Sequence, residues 1–520
     1  MKADMDVCVS SNIDSPYGIL DERRRNMELR STSTVTSAVS ALCVLASAAE
    51  WVKYCGAAIN KSFDCRSYLT QTERHNLSGA KCRAIISPTP RFQLLAWAAR
   101  VNLDRAQGRS RGPLYGIPII LKDVFAIDAT IGMPTTAGSC AIFDACPSEN
   151  AAIVEDLLRQ GLIIIGKANM TANFLGRTKW SAVCGMCQPA YIPTGYKLGD
   201  NPRGESARSF FLELAVSPCE FTRISLGSET TSSLVTPAPT SSLYALKLTP
   251  SSTSLNGLFH STLSFDTVGA VGKTSLDAAL ACDALLSNEK SDVPPLASVA
   301  RLAKPHDLPV GFVYIEKWRL PSQKQTQDQV SLEQSLKRYG VNVIDVYTTP
   351  PEEYMIGDTN VDDMMGNITL RQSNNEIERY LKALEYSKVL TVKEIIQFID
   401  YHPIVELGDV NDRLISLAKN SRPDEEMQGS LQHCKRWAAT EGIDGIMSEH
   451  GVDVVVCSSD SFFAGISVGV CYPMGCVPFG YVQSTNEEVR LVKFMVVWEK
   501  VRPARRSPDL EAYALARQNL

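Results

Sequence analysis

The chain has 520 residues, of which 44% are hydrophobic and 21% are charged, and its formal net charge is −5. This composition is typical of a globular protein with a sizeable core. The acidic balance lacks the basic excess that accompanies nucleic-acid binding, so we expect no nucleic-acid partner.

The N-terminal region, residues 1–85, is polar and mostly of helical character, which predicts an N-terminal helical layer. Met1–Leu29 lacks the continuous apolar segment of a secretory signal. The apolar run Thr34–Ala49 is too short and too mild for a membrane span. We therefore expect a cytoplasmic protein without a membrane-spanning helix.

The chain contains 15 cysteines at irregular intervals. An odd, scattered set in a large chain is typical of reduced thiols and not of a disulfide framework. The CxxC sequence Cys184-Gly-Met-Cys187 has no second pair at metal-ligand spacing. We interpret it as two incidental thiols.

Residues 86–286 have the pattern of an α/β core. A short apolar run, Ile117–Leu121, follows a Gly/Pro break and predicts a buried strand. Glu149–Gln160 has helical spacing, and Gly161–Gly166 is a second buried-strand run. The order strand, helix, strand predicts parallel pairing through a crossover helix.

The C-terminal half of the chain divides into two parts. Residues 287–440 are charged and predict a mostly helical insertion, whereas residues 441–520 predict a return to the core sheet. Gly451–Cys457 and Gly475–Tyr481 are the strands expected in that return. The sequence therefore predicts one large α/β domain with a helical insertion.

The six histidines do not occur in a hydrolase or metal-binding motif, and no His/Cys/Asp/Glu cluster has metal-ligand spacing. We therefore expect no metal and no cofactor. A serine nucleophile without histidine needs another base, and a lysine can serve if burial keeps it neutral. Lys122 follows the apolar run 117–121 and meets this requirement. The alternatives are a lysine that extends to solvent or one that pairs with Asp123.

Several motifs in a fixed order resemble the amidase signature family, in particular its fungal, acetamidase-like branch. The resemblance covers roughly residues 85–285 and 440–482. The motifs that carry it are Gly116–Phe125, Gly132–Ser139, Gly166–Met170, Trp180–Val183, Gln188–Tyr191, Ser225–Ala238, Phe265–Gly269, Ser458–Asp460 and Tyr472–Gly475. It implies an α/β fold with a large, mixed, mostly parallel sheet covered by helices on both faces.

The resemblance also implies a reaction, the hydrolysis of a carboxylic amide through a Ser-Ser-Lys triad and an acyl-enzyme intermediate. Ser233 takes the position of the nucleophile and Lys122 that of the final proton acceptor. Backbone N–H groups of Thr230, Thr231, Ser232 and Ser233 would hold the oxyanion. The implied partner is a small-molecule amide substrate, and a homodimer is left open.

The serine that bridges Ser233 and Lys122 has two candidates. Aligned from its preceding turn, Asn201-Pro-Arg-Gly, the family's bridging serine is Ser206. The family's usual separation of about 24 residues before the nucleophile selects Ser209 instead. We keep both, with a slight preference for Ser206.

Two glycines that precede the nucleophile in the family are Thr231 and Ser232 in this chain. Glycine permits positive φ, which strains a β-branched residue. The main hypothesis is therefore an amidase, and the alternative is a weakened or inactive amidase-fold protein that binds a ligand or partner. A third hypothesis, a subunit of an amidotransferase that acts on charged transfer RNA, is disfavoured by the acidic balance of the chain. A fourth, a serine esterase with a histidine base, is disfavoured because no histidine is suitably placed.

Overall fold

A computed structural model describes the greater part of residues 76–498. The described ranges are 76–77, 82–109, 112–170, 180–187, 222–241, 243–286, 295–298, 309–313, 330, 332–334, 336–338, 340–348, 353–406, 424–452, 454–458, 463–469, 471–483 and 489–498. Most of the predicted N-terminal layer, both bridging candidates Ser206 and Ser209, and Asp460 lie outside them.

The described strands fall into one large sheet and two short hairpins. In chain order they are β1 (Ile85–Pro88), β2 (Pro118–Lys122), β3 (Ile163–Ala168), β4 (Trp180–Ser181), β5 (Gly185–Met186), β6 (Ile224–Glu229), β7 (Tyr244–Lys247), β8 (Thr267–Gly272), β9 (Val310–Val313), β10 (Val343–Val346), β11 (Met355–Ile356), β12 (Thr359–Asn360), β13 (Val454–Ser458), β14 (Met474–Gln483) and β15 (Val489–Trp498).

The helices lie between these strands. In chain order the α-helices are α1 (Arg91–Ala106), α2 (Ala152–Arg159), α3 (Pro237–Thr240), α4 (Ser275–Leu285), α5 (Val361–Ala383), α6 (Val392–Tyr401), α7 (Pro403–Glu406), α8 (Asp424–Trp437), α9 (Ile443–His450) and α10 (Phe463–Gly469). Short 3₁₀ turns occupy Ala129–Ile131 and Cys140–Ile142, and a π-helical turn at Ala438–Gly442 joins α8 to α9. Within the described ranges, no helix has both the length and the apolar character needed to cross a bilayer.

The large sheet has the strand order β1-β3-β2-β6-β8-β7-β14-β15-β13-β9-β10. Pairing is parallel between β2 and both its neighbours, and between β9 and both of its own. The other pairs in this sheet are antiparallel and are the more numerous among the described strands. The predicted class, an α/β fold built on a mixed sheet, is confirmed.

Helices cover both faces of the sheet. Side chains of a strand alternate between the two faces, so neighbouring residues of one strand pack against different helices. Ile119 and Leu121 of β2 pack in the same core cluster as residues of α2 and α4. Ile120, between them, packs in a different cluster with Leu94 and Val101 of α1. The continuous apolar runs of the central strands are therefore buried from both sides, as expected for strands covered on both faces.

Among the described residues, the region 287–440 contributes helices and also four strands, β9 to β12. Val310–Val313 and Val343–Val346 extend the sheet at its far edge beyond β13. Both are short runs that begin and end with valine, and β-branched residues favour a strand once a neighbouring strand is available. The late strands predicted from sequence are found as β13 and β14.

Candidate active site

The site is built where two neighbouring parallel strands end. β2 ends at Lys122 and β6 ends at Glu229, and their register pairs Ile119 with Ile224 and Leu121 with Leu226. Parallel strands that pair in this register end at the same edge of the sheet. The chain leaving β6 therefore starts beside the Lys122 side chain.

Lys122 is buried, with 2% of its surface exposed. Its Nζ donates to the backbone oxygen of Ser228, 3.3 Å away and 106 residues later in the chain. The side chain therefore does not extend to solvent. The other alternative, a pair with Asp123, is also not found, because Asp123 pairs with Lys167.

Ser233 lies in the loop that follows β6, and we call residues 229–236 the Ser233 turn. Ser233 is half-buried, whereas the two residues after it, Leu234 and Val235, are fully buried. The backbone N–H of Thr236 donates to the oxygen of Ser232 at 3.2 Å, so the turn winds helically into α3. Ser233 therefore keeps part of its surface exposed, while the residues that follow it are anchored in the core.

The two residues that replace the family's glycines are accommodated without backbone strain. Among the described non-glycine residues, positive φ occurs at Arg83, Ala137, Ser251 and Cys471, so Thr231 and Ser232 keep negative φ. Thr231 is exposed and Ser232 is half-buried, so neither side chain is forced into the core. The Ser233 turn of this chain therefore does not need the conformational freedom of glycine.

The buried carboxylate of Glu229 accepts hydrogen bonds from the backbone of the Ser233 turn. Its Oε2 accepts the backbone N–H groups of Leu234 at 2.5 Å and Val235 at 3.0 Å, and the side chain is buried. Burial raises the pKa of the Glu229 carboxyl, while the buried Lys247 ammonium, the two N–H donors and Lys122 oppose that rise. No role was predicted for Glu229 from sequence, although it lies within the motif Ser225–Ala238.

A second buried pair lies on the other side of Lys122. Lys167 Nζ stands 3.2 Å from Asp123 Oδ1, and both side chains are fully buried. Lys167 also donates to the oxygen of Phe125 and to Thr135 Oγ1, each at 2.8 Å. Burial raises the pKa of the Asp123 carboxyl, and the neighbouring Lys167 ammonium opposes that rise.

The Asp123 carboxylate also holds the loop at 132–139. Its Oδ2 accepts the backbone N–H groups of Thr136 at 3.1 Å and Gly138 at 3.3 Å, and the Thr136 hydroxyl at 2.5 Å. Asp123, the residue directly after Lys122, is thereby held both by Lys167 and by the loop at 132–139. This pair was also missed from sequence, where Asp123 was considered only as a partner for Lys122.

We expect Lys167→Met to destabilise the protein by about 3–5 kcal/mol, because it leaves the Asp123 charge buried without its partner. Equilibrium urea unfolding of the variant and wild type would measure the loss. Lys388→Met is the matched control, since Lys388 pairs with Asp144 at the exposed surface, where a pair contributes about 0–1 kcal/mol. Equal unfolding free energies for the two variants would contradict the prediction.

Two further buried charges lie behind the Ser233 turn. Lys247 of β7 is fully buried, and its Nζ donates to the oxygen of Tyr472 at 3.4 Å. Asp266 accepts the backbone N–H of Ser261 at 2.6 Å. Burial raises the pKa of the Asp266 carboxyl, and a hydrogen bond from the half-buried Thr230 opposes that rise. This hydrogen bond therefore links Thr230, at the start of the Ser233 turn, to Asp266, directly before β8.

The histidine nearest in sequence to this network is engaged elsewhere. His260 is buried, its Nδ1 faces the oxygen of Leu258 at 2.8 Å and its Nε2 faces Glu376 Oε2 at 3.0 Å. Both ring nitrogens therefore have partners away from Ser233. Cys184 and Cys187 are both buried free thiols.

Comparison with known proteins agrees with this architecture. The model of the family named Amidase matches residues 71–191 and 215–462. A protein of Arabidopsis thaliana named a probable amidase is 25% identical over 457 residues, which cover 82% of this chain and 85% of that protein. One of the subunits of the glutamyl-tRNA(Gln) amidotransferase of Salinispora arenicola is 34% identical over 219 residues, which cover 41% of this chain and only 42% of that protein.

Solved structures share the fold. The peptide amidase of Stenotrophomonas maltophilia superimposes with a TM-score of 0.68 at 24% identity, over 83% of this chain and 88% of that one. Since the family match covers well over half of the 520 residues, the chain belongs to the amidase family.

Proposed function

We propose that this protein is a serine amidase in which Ser233 is the nucleophile and Lys122 is the final proton acceptor. The observation that supports the proposal best is the junction of β2 and β6. There a buried lysine bonds to the carbonyl of Ser228, five residues before a half-buried serine. A buried amine that bonds to the strand end leading into the serine's loop fits a lysine-based acyl transfer.

In the proposed reaction, Ser233 Oγ attacks the carbonyl carbon of the amide and its proton passes through a bridging serine to Lys122. The tetrahedral intermediate then collapses, the C–N bond breaks, and the amine leaves with the proton. Water, deprotonated by the same route, attacks the acyl-enzyme and releases the carboxylic acid. Ser206 and Ser209 are the candidates for the bridge.

The oxyanion of the intermediate needs N–H donors close to Ser233. Glu229 already accepts the N–H groups of the two residues after Ser233. The backbone N–H groups of Thr230 to Ser233 are therefore the donors that we assign to the oxyanion. The negative φ angles of Thr231 and Ser232 support an ordered turn that does not depend on glycine.

The substrate class that we propose is a small or medium carboxylic amide. The name of the Stenotrophomonas maltophilia neighbour, a peptide amidase, makes amidated peptides a useful part of a substrate panel. A role on charged transfer RNA is less well supported, since the chain has a net charge of −5 and matches less than half of the amidotransferase chain.

The decisive experiment is labelling of the purified protein with a fluorophosphonate probe, followed by mapping of the modified residue by mass spectrometry. We expect one modified serine, Ser233, because the probe reacts with an activated nucleophile. Folded protein that stays unlabelled from pH 6 to 10 would refute the enzyme and favour the non-catalytic, ligand-binding alternative.

A further inference from the structure

The loop that leads into β8 contacts both strand ends that carry the proposed site. We call residues 257–266 the β8 loop. At its start, the N–H of Ala126 donates to the oxygen of Gly257 at 2.8 Å, and the N–H of Phe259 donates to the oxygen of Val124 at 2.9 Å. Val124 and Ala126 are two and four residues after Lys122. The β8 loop is therefore bonded to the chain that leaves β2.

The other end of the β8 loop lies beside the Ser233 turn. Asp266 is followed directly by β8, whose first residue, Thr267, pairs with Glu229 at the end of β6. The Asp266 carboxylate accepts the N–H of Ser261 at 2.6 Å and also bonds to Thr230 in the Ser233 turn. The β8 loop therefore connects the end of β2 with the Ser233 turn.

Such a connection matters because the strands themselves stop pairing before the site. Among the described residues, the pairing of β2 with β6 ends at Leu121 and Leu226. A nucleophile and its base must be held in a defined geometry, and a displacement of about 1 Å costs about 10²-fold in rate. Beyond the last strand pair, the β8 loop is a second link between the two chain segments.

Helix α5 of the insertion contacts the β8 loop through one of its faces. Residues four apart on a helix share a face, as do Gln372, Glu376 and Tyr380. Gln372 Oε1 accepts the N–H of Ser264 at 3.2 Å, and Gln372 Nε2 donates to Ser264 Oγ at 2.8 Å. The ring of Tyr380 packs edge-on against that of Phe259, with the centroids 5.3 Å apart.

His260 lies in the middle of this contact, and its side chain is 3% exposed. Its Nδ1 faces the oxygen of Leu258 at 2.8 Å, and its Nε2 faces Glu376 Oε2 at 3.0 Å. Arg379 Nη2 lies 2.5 Å from the same Glu376 oxygen and 3.3 Å from His260 Nε2. The ring therefore cannot turn without breaking a buried hydrogen bond, which is costly.

We propose that His260 is a positioning residue: its hydrogen bond to Glu376 fixes the β8 loop on α5, and the loop in turn fixes the end of β2 relative to the Ser233 turn. The proposal rests on the proposed function for its effect on reaction rate, whereas its effect on the loop can be tested independently. In this proposal His260 neither touches the substrate nor takes the proton of Ser233. A helix of the insertion thereby takes part in the geometry of the site.

The test compares His260→Phe, which keeps a ring and removes both nitrogens, with His260→Gln, whose amide nitrogen can still donate to Glu376. In folded His260→Phe, we expect the fluorophosphonate labelling rate at Ser233 to fall by at least about tenfold. Residue-resolved hydrogen–deuterium exchange at Phe259 and Ser261, whose N–H groups fix the loop, should be at least about tenfold faster. His260→Gln should recover most of the labelling rate and of the protection from exchange.

A double-mutant cycle with Glu376→Met shows whether His260 acts through this partner. Glu376→Met should lower the labelling rate by about the same factor as His260→Phe. The double variant should be no slower than either single variant, since both changes remove the same hydrogen bond. Factors that multiply in the double variant would contradict the proposal.

Thr391→Ala is the matched control. Thr391 caps α6, in the same insertion, and its Oγ1 accepts the N–H of Glu394 at 3.2 Å. Loss of this cap should lower the thermal stability and leave the labelling rate and the exchange of the β8 loop at wild-type values. If His260→Phe does not fold, Gln372→Met takes its place, because Gln372 bonds to the same loop and the same two effects are expected.

A labelling rate in folded His260→Phe equal to that of wild type would overturn the proposal, as would unchanged exchange at Phe259 and Ser261. A Gln variant as slow as the Phe variant would also count against it, because one donor to Glu376 should suffice. If wild-type protein is not labelled at all, the proposed function fails, and the exchange measurement still decides whether His260 holds the loop.

Discussion

Replacing Ser233 by alanine should abolish fluorophosphonate labelling and lower amide hydrolysis by roughly 10⁴-fold or more, since removal of the nucleophile from a serine hydrolase has effects of this order. Ser233 is half-buried in a turn whose backbone is held by Glu229. The loss of one oxygen atom should leave that backbone in place. The measurement is the rate of amide hydrolysis, once a substrate is found, together with intact-mass analysis of the labelled protein.

The control for Ser233→Ala is Ser148→Ala, which removes an exposed serine outside the site. This variant should be labelled and should turn over substrate at the wild-type rate. Circular dichroism and thermal unfolding should be similar for all three proteins. Persistent labelling of Ser233→Ala at another single serine would contradict the assignment of the nucleophile.

Replacing Lys122 by methionine should lower the labelling rate by about 10²- to 10⁴-fold, the usual contribution of a general base. Methionine has a similar length and no charge, and the Lys122 site is buried. The folded state should therefore survive with little loss of stability.

Lys167→Met is the matched control for Lys122→Met, since both lysines are buried at the ends of neighbouring strands. We expect opposite outcomes: the Lys122 variant loses rate and keeps stability, whereas the Lys167 variant loses stability and keeps most of its rate at temperatures where it is folded. Equal rate losses in the two variants would contradict the role of Lys122. The same assay on Ser206→Ala and Ser209→Ala would distinguish the two candidates for the bridge.

The strands that carry the site could be predicted from sequence because they are buried on both faces. Ile117–Leu121 and Gly161–Gly166 are continuous apolar runs, and they correspond closely to β2 and β3. The family was predicted from motifs in a fixed order, and the mixed sheet was what the resemblance to that family implied. The strands β9 and β10 were not predicted, because four-residue runs within a charged, helical region are ambiguous without a neighbouring strand.

The buried charges were harder to predict for a physical reason. Whether Lys122 pairs with Asp123 or remains separate depends on Lys167, which is 45 residues further along the chain in a different strand. Whether the backbone of the turn tolerates Thr231 and Ser232 in place of two glycines depends on their φ angles. The residue types alone do not determine those angles. Local pattern gives the strand ends, whereas the partners of their charged residues follow from the tertiary structure.

The hydrogen bond between Lys122 and the Ser228 oxygen also has a consequence for folding. Its two residues are 106 positions apart, and β2 and β6 are adjacent only in the assembled sheet. Closing such a loop costs conformational entropy before any contact compensates for it. In a nascent chain that has not yet paired β6 with β2, Lys122 is present but is not yet beside the end of β6, so the site has not formed. Catalytic competence should appear late in refolding, together with the central strand pair, and not gradually with secondary structure.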